Sequence, residues 1–253
     1  MEQSINIMVN RITNILHDNN PSIFLFGSVV LDDFKLGWSD IDFICLTKKT
    51  ITNEQANELV NLRQTLLAEY PGDKYFRLFE GGMLSLDAFI NNVDDTIVYW
   101  GTSGQRITNS YGLCPFSKIE LFDNGKKLYG DDFRHLMKYP SNEEIIEAVR
   151  NYYENIKKYS YTPQSIRSTG CILDIARCLY TLKTMKVIAK TQAGEWALEQ
   201  DLFPDRSVLE KIIEIRKNPI KYSNDENTLK WIPSLVPYIQ KFTDVLEDKL
   251  RTL

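Results

Sequence analysis

Residues 24–46 read FLFGSVVLDDFKLGWSDIDFICL. Two short apolar runs, Ser22 to Phe26 and Ile41 to Leu46, stand on either side of a polar segment from Leu31 to Ser39. Apolar runs of this length bounded by turn formers read as strands. The first run leads into Gly27-Ser28, and the second begins at Asp40-x-Asp42. Residues two apart on a strand project from one face, so Asp40 and Asp42 point the same way while Ile41 and Phe43 turn to the other. Carboxylates held that close repel one another unless a cation neutralises them, and the pair therefore points to a divalent metal. Magnesium takes carboxylate oxygens together with phosphate oxygens and keeps some of its waters. A glycine lets a phosphate approach the backbone closely, and the Ser28 hydroxyl can donate to it.

The rest of the chain sets the frame. At 253 residues and 43% hydrophobic it is long enough for a buried core and two domains. The start, MEQSINIMVNRITNIL, alternates polar and apolar residues. It has neither a basic stretch nor a continuous apolar segment behind one, and nowhere do about 18 apolar residues run uninterrupted. The expectation is a cytoplasmic protein without a membrane partner. Four cysteines, Cys45, Cys114, Cys171 and Cys178, include no C-x-x-C pair, and the two histidines, His17 and His135, are far apart. They read as reduced cysteines used as small hydrophobes, not as a zinc site.

Net charge is −4, with 13 basic and 18 acidic residues up to position 140 and 17 and 16 beyond it. Phosphate neutralisation supplies most of the affinity of a protein that tracks a nucleic-acid backbone, and no clustered basic stretch provides it. A cationic small molecule fits the acidic front half better than nucleic acid does.

Periodicity predicts a helix over 3–18, stopped by Asn19-Asn20-Pro21, and an amphipathic helix over 52–69. It predicts a third strand around Met83–Leu86 and a fourth over Lys118–Phe122, closed by Asp123-Asn124-Gly125. From Ser141 the pattern becomes helical, over 142–158, 165–185, 191–200, 207–217 and 234–252, with an acidic first turn at Glu143-Glu144. The prolines at 163, 204, 219, 233 and 237 fall between these segments or near their starts. The reading is α+β: a domain over 1–139 with a small mixed sheet flanked by helices, then an all-α helical bundle over 140–253.

Gly-Ser, eleven residues and Asp-x-Asp between two strands resembles the nucleotidyltransferase signature of the polymerase-β-like superfamily. There, a short helix start holds a nucleoside triphosphate and the two aspartates hold magnesium. The superfamily adds a third acid from a later strand, for which Glu80 and Asp87 compete. Asp87, after Ser85-Leu86, reads as a helix cap, whereas Glu80 has no such local reason to precede an apolar strand. The stretch RLFEGGML around Glu80 resembles the corresponding strand of the streptomycin/spectinomycin adenylyltransferases, which are aminoglycoside nucleotidyltransferases. Ile175-Ala176-Arg177 followed by KTQAGEWAL from Lys190 resembles the helical domain of the same family.

The resemblance implies that Asp40, Asp42 and Glu80 form the catalytic and metal-binding acids, with Glu80 as base. It implies that Gly27, Ser28, Lys190 and Arg216 bind the nucleotide, and that Glu195 faces the antibiotic. Arg177, in mid-helix, is expected to pair with Asp174 or a neighbouring element. Two departures bear on substrate. Leu179-Tyr180 stands where the family tends to have a tryptophan, which puts streptomycin recognition in question. The interval 91–113 matches the family poorly, although Trp100 within it is expected to line the substrate cleft. The implied activity is transfer of a nucleotide from ATP, with Mg2+, to a hydroxyl of an aminoglycoside or aminocyclitol by a monomer. The alternative is a nucleotidyltransferase of the same fold acting on another small molecule, a protein or a tRNA end.

Overall fold

The computed structural model describes residues 1–101, 104–159 and 162–253. They divide into two compact units. Unit 1 comprises Met1–Val30 and Asp40–Tyr139, and unit 2 comprises Leu31–Ser39 and Pro140–Leu253. The polar segment inside the opening stretch thus groups with the C-terminal helices and not with the strands that flank it.

Unit 1 runs α1 (Glu2–Ile15), β1 (Ser22–Leu25), β2 (Ile41–Thr47), α2 (Asn53–Glu69), β3 (Phe79–Ser85), α3 (Leu86–Asn91), β4 (Ile97–Gly101), β5 (Gly104–Thr108), α4 (Pro115–Asp123) and β6 (Lys126–Tyr129). The strands form one mixed sheet in the order β5-β4-β3-β2-β1-β6. Only β2 and β3 are parallel, and α2 carries the chain from one to the other. A parallel pair needs such a crossover. Its start is fixed by a capping box in which the Thr52 side chain accepts from Gln55 N and the Gln55 side chain accepts from Thr52 N, as a Thr three residues ahead of a Gln allows. Phe24, Phe26, Ile44, Leu46, Leu84 and Leu121 pack together in the core.

The segment expected as a fourth strand, Lys118–Phe122, lies inside α4. Pro115 sits in the first turn of that helix, where its fixed φ and missing N–H are tolerated. Ile119 and Leu121 alternate in sequence as a strand would, but Glu120 between them is buried as well. The Asn124-Gly125 turn then leads into β6, and β4, β5 and β6 are strands beyond those expected from the sequence. Asp87 is not the cap of α3: Ser85 is, accepting from Ala88 N at 3.1 Å, and Asp87 follows it, itself exposed, in the first turn.

Unit 2 contains α5 (Asn142–Tyr159), α6 (Gly170–Thr184), α7 (Lys190–Glu199), α8 (Arg206–Lys217), α9 (Pro219–Tyr222), α10 (Glu226–Trp231) and α11 (Val236–Arg251). α6 is central: α5, α7 and α11 pack on it, and α8 packs on α7. Gly194 lets α6 and α8 approach α7, because a Cβ there would come within 2.8 Å of Leu173 and 3.0 Å of Ile213. Among the described residues no helix is long and apolar enough to cross a membrane.

Candidate functional site

The chain leaves β1 through a short 3-10 turn over Gly27–Val29. Gly27 has φ +69°, and a Cβ added there would overlap the Asp42 carboxylate, whose Cγ lies 2.8 Å from that position. The glycine is thus required twice, by its left-handed backbone and by the carboxylate above it. The backbone ties the same elements together: Phe26 N donates to Asp42 O at 3.1 Å. The Ser28 hydroxyl donates to Asp40 O at 3.4 Å.

Parallel pairing of β2 with β3 sets Asp42 directly opposite Glu80. Side chains at one level of a ladder project from the same face, so these two carboxyl groups are neighbours on the sheet. Asp87, in contrast, lies beyond the far end of β3, where its Oδ1 accepts from Asn91 Nδ2 at 2.7 Å. At about 3.3 Å per residue the length of the strand separates it from Asp42, and Glu80 is the acid the strand brings to the aspartates.

Four residues around these acids were not singled out in the sequence. Tyr99 on β4 donates its hydroxyl to Glu80 Oε1 at 2.6 Å. Burial, this bond and the charge of Glu80 push the Tyr99 phenol up to about 12. Tyr111 lies in the space left by Gly82, where a Cβ would run into its ring. Burial first, and then the charge of Asp42, pushes its phenol up. Arg63, buried on α2, donates to Phe79 O at 3.0 Å and Gly101 O at 2.9 Å, bracing the strand ends beside Glu80. Burial pulls the Arg63 guanidinium below its ordinary range, and the charges of Glu80 and Asp40 oppose that shift. Arg106 rests over the Tyr99 ring, 4.5 Å from its centroid.

Trp100 does not line a cleft. It is fully buried, its ring packs against Phe43 at 5.6 Å, and its indole N–H donates to Leu59 O at 2.9 Å. Alternation along β4 sends Tyr99 to one face and Trp100 to the other, so Tyr99 takes the place beside Glu80.

In unit 2, Lys190 opens α7 and donates to Asp174 Oδ2 at 3.0 Å. Arg177 also meets Asp174, at 3.2 Å, and donates to the Tyr152 hydroxyl at the same distance. Lys190, Asp174 and Tyr152 border a cleft of about 380 Å³ that is also lined by Trp38, Arg167 and Cys171, among others. Glu195 lies in the second turn of α7, about half exposed, and accepts from Lys217 Nζ at 2.5 Å. Tyr180, at the position of the departure noted above, packs edge-on against Trp196 at 5.3 Å.

Arg216, expected at the phosphates, is 2% exposed. Its Nη2 donates to Asp33 O and Oδ2, both at 3.1 Å, and to Ser39 Oγ at 3.3 Å. Its guanidinium also lies over the Trp38 ring, 5.1 Å from the centroid. That burial gives Arg216 a structural task in place of a phosphate contact. Asp33, also buried, takes the Thr191 hydroxyl at 2.6 Å and Thr191 N at 3.3 Å. The N-cap of α7 is Ala189, which has no capping side chain; Asp33 satisfies an orphan N–H of that helix from elsewhere in the sequence.

Residues 9–75 match the nucleotidyltransferase domain, and residues 136–235 match the C-terminal domain of aminoglycoside adenylyltransferase. No curated protein sequence matches the chain significantly. Among solved structures it is similar to spectinomycin adenyltransferase AAD(9) from Enterococcus faecialis, a crystal structure with ATP and spectinomycin. Identity is 18%, coverage is 99% of each chain and the TM-score is 0.63, which shows a shared fold. A toxin-antitoxin structure with AMP-PNP is 19% identical over 59% of this chain and 90% of its own, with a TM-score of 0.27.

The mixed sheet followed by a helical unit, with the two matched domains in that order, defines a nucleotidyltransferase of the polymerase-β-like superfamily. Within it, residues 136–235 carry the domain that matches the C-terminal domain of aminoglycoside adenylyltransferase.

Proposed function

We propose that this enzyme transfers AMP from ATP to a hydroxyl of a cationic aminocyclitol or aminoglycoside of the spectinomycin type, as a cytoplasmic monomer that confers resistance. The observation that carries this reading is the register of β2 and β3, which stands Asp42 beside Glu80, with Gly27 leaving room for the Asp42 carboxylate. The functional halves in this reading are 1–139, which handles the nucleotide, and 140–253, which handles the antibiotic, with Leu31–Ser39 anchored among the helices of the second.

The donor set fits magnesium. Among the described residues no group of three or more His, Cys, Asp or Glu side chains forms a ready-made metal site. Magnesium does not need one, since it binds through one or two carboxylates plus substrate phosphates and water. Asp40 and Asp42 would hold it. Glu80, whose Oε1 is engaged by Tyr99, is assigned as base and not as third ligand. When bound, the ion supplies positive charge that offsets the charge developing on the phosphates.

Glu80 takes the proton from the antibiotic hydroxyl as that oxygen attacks the α-phosphorus in line and the bond to pyrophosphate breaks. Gly27 and Ser28 position the triphosphate, and Lys190 gives up Asp174 to meet it. Glu195 gives up Lys217 to pair with an antibiotic amine, and the excess of acidic residues in the front half attracts a polycation. The departure at Leu179-Tyr180 favours the spectinomycin type over streptomycin. The test is growth: cells expressing the chain should survive spectinomycin, and cells expressing the Glu80→Gln variant should not. Equal sensitivity of both strains to every aminocyclitol and aminoglycoside tried would refute the assignment.

A further inference from the structure

We propose that Tyr99 is a positioning residue for Glu80: its hydroxyl, 2.6 Å from Oε1, fixes the carboxylate so that Oε2 is the oxygen presented to the acceptor hydroxyl. The proposal rests on the reading of Glu80 as base.

The contact is built by the sheet. β3 and β4 are antiparallel with Gly81 opposite Trp100 and Gly82 opposite Tyr99. This places Tyr99 diagonal to Glu80 on one face, within reach of a long aromatic side chain. Two glycines make the room. A Cβ on Gly101 would meet the Tyr99 ring and hydroxyl at 2.5–2.8 Å, so its absence lets the ring lean toward Glu80. Gly82, bare beneath Tyr111, lets a second ring settle 5.8 Å from that of Tyr99. Arg106 covers the Tyr99 ring at 4.5 Å. The ring is therefore clamped, and a phenol that stays protonated can only donate to the carboxylate.

A glutamate on a strand end has three rotatable torsions, and a base whose oxygen wanders by an ångström loses rate steeply. A fixed donor on one oxygen removes that freedom. Arg63, in contrast, braces the backbone at Phe79 O and Gly101 O.

The test is Tyr99→Phe, which keeps the ring against Arg106 and Tyr111. We expect kcat to fall about 10- to 100-fold while KM for ATP and for antibiotic each stay within about twofold and the melting temperature holds. In the Glu80→Gln background the same change should cost nothing further, because a cycle of two variants isolates their coupling. A readout independent of turnover is the 13C signal of the Glu80 side-chain carboxyl, assigned by its loss in Glu80→Gln. At fixed pH and without nucleotide it should move in Tyr99→Phe. If Tyr99→Phe fails to fold, Gly101→Ala, which pushes the ring from its place, should show the same loss of kcat. Unchanged kcat in Tyr99→Phe, or an equal loss with and without Glu80, overturns the proposal. Full turnover by Glu80→Gln alone would instead remove the base assignment on which it rests.

Discussion

Arg216 and Asp33, 183 residues apart, are joined inside unit 2 by hydrogen bonds from one guanidinium nitrogen to both the side chain and the backbone carbonyl of the aspartate. The pair carries the segment Leu31–Ser39 into the helical unit and finishes the start of α7 through Thr191. Removing one partner of a buried ion pair leaves the other charged and uncompensated, at a cost of about 3–5 kcal/mol. Asp33→Ala should therefore lower the melting temperature by roughly 6–20 °C, at about 2–4 °C per kcal/mol for a chain of this size. Calorimetry checks it. A loss of only a degree or two would show that the clasp is dispensable.

Gly27→Ala tests why a glycine ends the first strand. The variant must accept φ +69° and displace the Asp42 carboxylate. Strain of this kind costs on the order of 1–3 kcal/mol, which the fold should survive, but turnover should drop at least a hundredfold as Asp42 is pushed aside. Full activity with a normal melting temperature would mean the carboxylate has freedom the packing does not suggest.

Glu80→Gln and Asp87→Asn separate the two acids weighed for the third position. The first should retain ATP binding by calorimetry and lose roughly 10²- to 10⁴-fold in kcat, the usual worth of a general base. The second, exposed on α3 where it accepts from Asn91, should keep its rate within twofold. The opposite ranking would exchange their roles.

Glu195→Gln should raise KM for the antibiotic about tenfold while KM for ATP stays within twofold, as expected where a charged hydrogen bond to one substrate is lost. Its present partner is Lys217 at the surface, and exposed pairs contribute little to stability, so the melting temperature should barely move. Two unchanged KM values would confine Glu195 to that surface pair.

The elements that carry the acids were legible because their signals are local. Two apolar runs with turn residues at their ends mark β1 and β2, and the apolar residues around Met83 mark β3, which starts four residues earlier than expected, at Phe79, and ends at Ser85. α4 was misread because Ile119 and Leu121 alternate while Glu120 between them is also buried. β6 and β5 are four and five residues long at the two edges of the sheet, too short and too polar to show a period. Trp100 is buried instead of lining the cleft because its face is set by the pairing of β4 with β3, for which the sequence carries no local signal. Asp33 had no signal of its own, since its partners at 191 and 216 meet it only through tertiary packing. Tyr99 was hidden for the same reason: the glycine that makes its room, Gly101, has meaning only once β3 and β4 are paired.

The most direct measurement is mass analysis of spectinomycin incubated with the purified chain, ATP and magnesium, run alongside Asp42→Asn. The wild-type chain should add one AMP to the antibiotic and release pyrophosphate. Asp42→Asn should keep its melting temperature and add none, because the lost charge weakens metal binding beside Glu80. An antibiotic left unmodified by the wild-type chain, or AMP transfer at the wild-type rate by Asp42→Asn, would contradict the assignment of these acids to nucleotide transfer.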